Sequence, residues 1–112
     1  MKNLIDRIED IAKNNPEGFT VYLPSLEMAT DGWAIANRAT QNQFDRKGLE
    51  FVLEYAMKHN RIIGGWYHEG KFYYDAIILE SDEQIAISKM IIHNQIGIYN
   101  IRTQKFIKNR GF

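Results

Sequence analysis

The chain has 112 residues, no cysteine, and 14 basic against 14 acidic side chains. That length fits one domain with a real core and excludes a cofactor domain beside a substrate domain; the charge balance singles out no polyanionic or membrane partner. Disulfides, thiolate nucleophiles and cysteine-type zinc sites are excluded, which suits a reducing compartment.

The N-terminal stretch MKNLIDRIEDIAKNN breaks its apolar residues with charge every few positions, unlike a signal peptide. No run approaches the ~20 apolar residues of a membrane span, so a soluble cytoplasmic protein is expected. Leu4, Ile5, Ile8, Ile11 and Ala12 recur at helical spacing with Asp6, Glu9, Asp10 and Lys13 opposite them, predicting a one-sided surface helix. Asn14-Asn15-Pro16-Glu17-Gly18 stops it. Phe19, Val21 and Leu23 alternate with polar positions up to Pro24, predicting a strand. Trp33 to Ala39 reads as a second strand, where small Ala34, Ala36 and Ala39 leave room for close packing. Thr40 to Gln43 reads as a connector, and Leu49, Val52, Leu53, Ala56 and Met57 mark the buried stripe of a second helix.

Ile62 to Tyr67 and Lys71 to Leu79, joined by His68-Glu69-Gly70, form the best hairpin in the chain. Ser81 followed by Gln84 makes a capping box for a third helix over 82–93. Ile96, Ile98 and Ile101 suggest a last strand, and 102–112 reads as a basic tail free to fray. The expected architecture over 1–112 is a single α+β domain in the order α-β-β-α-β-β-α-β, with three helices and a mixed sheet of about five strands. Dropping the first two elements leaves β-α-β-β-α-β, the ferredoxin-like pattern. That pattern conflicts with the expectation that strands joined by a short connection lie side by side.

Asp75 is the best single acid candidate, being a carboxylate inside an apolar run on the strand face it shares with Tyr73, Ile77 and Leu79. A carboxylate there needs a partner, and a backbone group or a tyrosine hydroxyl is the structural explanation. His59, His68 and His93 have no metal-ligand spacing, and Ser81 sits in no nucleophile elbow. Gly64-Gly65 lacks the spacing of a phosphate-binding loop and reads instead as a bulge or close approach within a strand. No metal, cofactor or catalytic group is therefore expected. Apolar residues off the core faces of the helices carry more information. Phe51 and Tyr55 are an i, i+4 pair away from Leu49 and Leu53, and Ile85 and Ile92 lie opposite Ala86, Ile87, Met90 and Ile91. Such surplus apolar surface is either covered within the chain or left for a partner.

The pieces Pro16-Glu17-Gly18-Phe19-Thr20-Val21, Thr40-Gln41-Asn42, Gly48-Leu49, Gly64-Gly65-Trp66, Tyr73-Tyr74-Asp75 and Gln95-Ile96-Gly97-Ile98-Tyr99 resemble a small family of short Bacteroidota proteins. Many of its members are carried on phages and mobile elements. The resemblance spans roughly 14–101 and implies a context rather than a reaction, namely stoichiometric inhibition of a host defence system such as an RNA-guided nuclease (an anti-CRISPR-type role). The balanced charge speaks against DNA mimicry and for an apolar or mixed docking surface.

The expected function is thus non-catalytic protein binding, to a target or to a second copy, anchored by Phe51, Tyr55, Trp66, Tyr67, Ile85 and Ile92. The alternatives are a single-stranded nucleic-acid binder stacking bases on Trp66, Tyr73 and Tyr74, and a small enzyme centred on Asp75. Nucleic acid is not favoured, because Arg61 and Lys71 are the only cations near those rings in sequence.

Overall fold

The computed structural model describes residues 3–112. Helix α1 (Leu4–Asn14) starts where the Asn3 side chain accepts from the Asp6 amide at 2.9 Å, and its face of Ile8 and Ala12 is buried. Strand β1 (Phe19–Tyr22) follows, then β2 (Trp33–Ala36), a single 3₁₀ turn (Arg38–Thr40) and a two-residue strand β3 (Gln43–Phe44). Helix α2 (Asp45–Met57) buries Leu49, Val52 and Ala56, as its stripe predicts. The hairpin of β4 (Ile62–His68) and β5 (Lys71–Glu80) turns on Glu69 and Gly70, both at positive φ (48° and 85°), the pattern of a type I′ turn. Helix α3 (Glu83–Ile92) is capped by Asp82, whose carboxylate accepts from the Ile85 amide at 2.9 Å; Ser81 is not the cap. Strands β6 (Gly97–Asn100) and β7 (Phe106–Lys108) complete the chain.

The sheet has seven strands in the order β1-β4-β5-β2-β6-β7, with β3 on β5 beyond the end of β2. Every pairing is antiparallel, so the expected mixed sheet of about five strands is corrected in both respects. The two extra strands are two and three residues long, too short to carry a period. One of them, β7, lies inside the supposed basic tail, where Phe106 to Lys108 pair with Gly97 to Tyr99.

β1 and β2 are not neighbours; β4 and β5 stand between them. The ten residues 23–32 suffice to pass two strands spaced about 4.8 Å apart. β2 lies instead between β5 and β6.

Register fixes which side chains share a face. Phe19, Val21, Ile63, Tyr74 and Ala76 alternate to one side, where they pack with Ile8, Ala12, Leu49, Val52 and Ala56 of α1 and α2. Trp33 and Ile35 alternate to the same side and pack with Ala86 and Met90 of α3 and with Ile98. All three helices therefore cover one face of the sheet, in two apolar clusters that meet along β5. Each large aliphatic side chain sealed there contributes about 2 kcal/mol. The helical wheel misplaces Ile91, which is exposed rather than part of that core.

Candidate functional site

Among the described residues, no helix covers the other face of the sheet. Small residues from three strands lie along it, Ala34 and Ala36 from β2, Gly64 from β4 and Gly97 from β6. They form the floor of a cleft of about 600 Å³, within the range of small-molecule sites. Trp66, with Met28 and Ala29 of the crossing connection, walls one side; Ile96, Tyr99 and Phe106 wall the other.

The glycines are there because a side chain would not fit. A Cβ on Gly64 would stand 2.9 Å from the Phe19 carbonyl oxygen and 3.0 Å from Cγ1 of Ile77. On Gly65, which faces the helices, it would meet the Phe72 ring and the Tyr73 carbonyl oxygen, each at 2.7 Å. The register runs through both glycines without a bulge, so close approach is the correct half of the sequence expectation.

Asp75 lies on this floor beside Ile77. Gly64 is its partner across β4. On the other side the ladder is interrupted, since β2 pairs only as far as Ala36 with Ile77, and β3 resumes at Gln43 with Tyr74. Across the gap the Asn37 amide donates to the Ala76 carbonyl at 2.8 Å, and the buried Thr40 hydroxyl accepts from the Ala76 amide at 3.0 Å. Thr40 thus holds the backbone next to Asp75 without touching its carboxyl. That carboxyl makes no hydrogen bond or ion pair among the described residues, so the expected backbone or tyrosine partner is absent there. The residue is partly buried, with its carboxyl reached from the cleft, and this partial desolvation raises its pKa from 3.8 to about 7. The other titratable residue lining the cleft is Tyr99.

The six sequence-predicted anchors do not converge. Trp66 lines the cleft, stacked on His68 with ring centroids 4.9 Å apart. Tyr67 alternates to the helix face, beside a smaller depression formed with α1 and α2. Phe51 is exposed on α2, and Ile85 and Ile92 are exposed on α3. Tyr55, expected to point away from the core, is half-buried against it and stacks on His59 at 3.8 Å.

The base-stacking trio is split as well, because Trp66 and Tyr73 face the open side while Tyr74 is sealed under the helices. There burial, with Glu9 and Asp45 nearby, pushes the Tyr74 phenol up to about 12. The histidines lie apart: His59 on Tyr55, His68 on Trp66, and His93, whose Nδ1 accepts from the Arg38 amide at 3.2 Å. Among the described residues no helix is long and apolar enough to cross a membrane.

Sequence reasoning found Asp75, Trp66 and the small residues of β2 but missed Gly97, Tyr99 and Phe106. Their signal is the alternation Gly97, Tyr99 on one face of β6, which gains meaning only once β6 is known to lie beside β2. No family model matches this chain, and neither does any curated protein or solved structure.

Proposed function

We propose that this protein acts by binding, and that its occupant sits in the cleft on the helix-free face of the ferredoxin-like core. One observation carries the reading: a mainly apolar concavity of about 600 Å³ converges on a single carboxyl that has no partner among the described residues. Pockets of that size, with apolar walls and few polar groups, are the usual form of a ligand site. A perturbed acid inside one adds to the case.

Binding is the activity, and the cleft rather than the helix faces is its site. Trp66 remains an anchor, now as a cleft wall. The exposed residues Phe51, Ile85 and Ile92 support a protein partner on the helix side, but nothing polar converges with them to give it specificity.

The test is a panel of neutral aromatic fragments followed by amide NMR. Ligand-induced shifts at Ala34, Ala36, Gly64 and Gly97, abolished when Ala36→Trp fills the floor, are the expected result. Shifts confined to α2 and α3, or none at all, would reject the cleft as the site.

A further inference from the structure

Resting on that reading, we infer that the cleft takes a small organic amine, its ammonium group paired with the Asp75 carboxylate and its apolar body lying between Trp66 and Phe106. Charge complementarity favours this occupant. A carboxyl on an apolar floor, with no donor aimed at it, is a cost that a hydrogen-bonding cation removes.

Among the described residues no cation pairs with the Asp75 carboxyl. Along the open side of β5 the charged neighbour is Lys71, whose ammonium sits 4.1 Å from the Phe44 ring centroid. On β4 the open side beyond Gly64 carries Trp66 and His68, and His68 lies 3.7 Å from Glu69. Arg38 in the 3₁₀ turn is exposed, Lys108 of β7 lies on the open side across from Gly97, Tyr22, Tyr73 and Tyr99 are the phenols on that side, and none of these groups pairs with Asp75. An anion would meet a carboxylate, with no cation among the described residues that line the cleft. A cation meets the carboxylate in a cleft whose lining includes the rings of Trp66, Tyr99 and Phe106, a residue type that attracts cations. The volume of the cleft suits a free molecule of drug-like size.

The consequence is a proton-linked site. The amine binds the ionised carboxyl, so below pH 7 it must first displace a proton. The probes are 2-naphthylmethylamine and its neutral isostere 2-naphthylmethanol, measured by calorimetry at pH 8 and 5.5. The amine should bind at least tenfold tighter than the alcohol at pH 8. With a carboxyl titrating at about 7, its affinity should fall roughly 30-fold at pH 5.5, because only that fraction of the protein is competent to bind, while the alcohol stays constant.

Asp75→Asn should make the two probes equal at both pH values. Equal binding of amine and alcohol to wild type at pH 8, or an amine preference that survives Asp75→Asn, overturns the inference and leaves the cleft a neutral-ligand site. Failure of both probes to shift Ala34, Ala36, Gly64 or Gly97 overturns the binding reading itself. A further arm uses acetyl-lysine-amide with a free side-chain ammonium. Tighter binding of that probe than of the naphthyl amine would overturn the small-molecule assignment in favour of a protein lysine.

Discussion

Replacing Asp75 by asparagine measures what it costs this fold to keep a carboxylate on the cleft floor. In the unfolded chain the group ionises near 3.8; in the fold, burial holds its proton until about pH 7. Between those values the folded state binds more protons than the unfolded one, so stability falls as pH rises through the window. Below it the cost is absent, and above it the cost is complete and constant.

A shift of about three pH units corresponds to about 4 kcal/mol, and water entering the open cleft should reduce the measured figure to about 2–4 kcal/mol. The assay is urea unfolding of both proteins at half-unit steps from pH 4 to 9, read as the difference between them so that the other titrating groups cancel. Asp75→Asn should match wild type near pH 4, gain progressively, and level off about 2–4 kcal/mol more stable above pH 7.5. A difference that is flat with pH, or a variant less stable at pH 8, would refute the account of an unpartnered, desolvated carboxyl.

Thr40→Val should cost about 1–3 kcal/mol in urea unfolding, because it leaves the Ala76 amide without its acceptor, while Thr40→Ser should restore most of it. Gly97→Ala would place a methyl group against the Phe106 ring and 2.7 Å from the Ile107 carbonyl oxygen. It should lose about 1–3 kcal/mol and speed hydrogen exchange at Ile107 and Lys108 while leaving Ile8 and Ala12 unchanged. Ile92 is 68 % exposed, so Ile92→Ser should alter stability by no more than about 0.5 kcal/mol. A loss above about 2 kcal/mol, seen in the same unfolding assay, would mean that the outer side of α3 is covered within this chain.

The parts of the fold legible in the sequence were those with local cause. The stripe of α1, the Glu69-Gly70 turn and the buried row of α2 each repeat within one element, where period and turn chemistry decide the outcome. What escaped depends on neighbours distant in sequence. Gln43-Phe44 becomes a strand only because β5 outruns β2, and Phe106 to Lys108 only because β6 offers an open edge. A short connection alone favours pairing β1 with β2, but β4 takes that place with four paired positions.

The site divides the same way. Asp75 is conspicuous as the lone acid of an apolar run, whereas the cleft around it exists because Ala34, Ala36, Gly64 and Gly97 come from three strands and happen to share a face. The anchors failed to gather because a helical wheel reports which residues leave a core and not where they arrive.

The two apolar clusters give the molecule a seam. Residues 4–23, α2 and β4 belong to one half, β2, α3, β6 and β7 to the other, and β5 is common to both. Segments with separate cores can loosen separately. Since the cleft takes Gly64 and Trp66 from the first half and Ala34, Gly97 and Phe106 from the second, anything lodged in it acts as a rivet, and filling it should make the two halves melt as one.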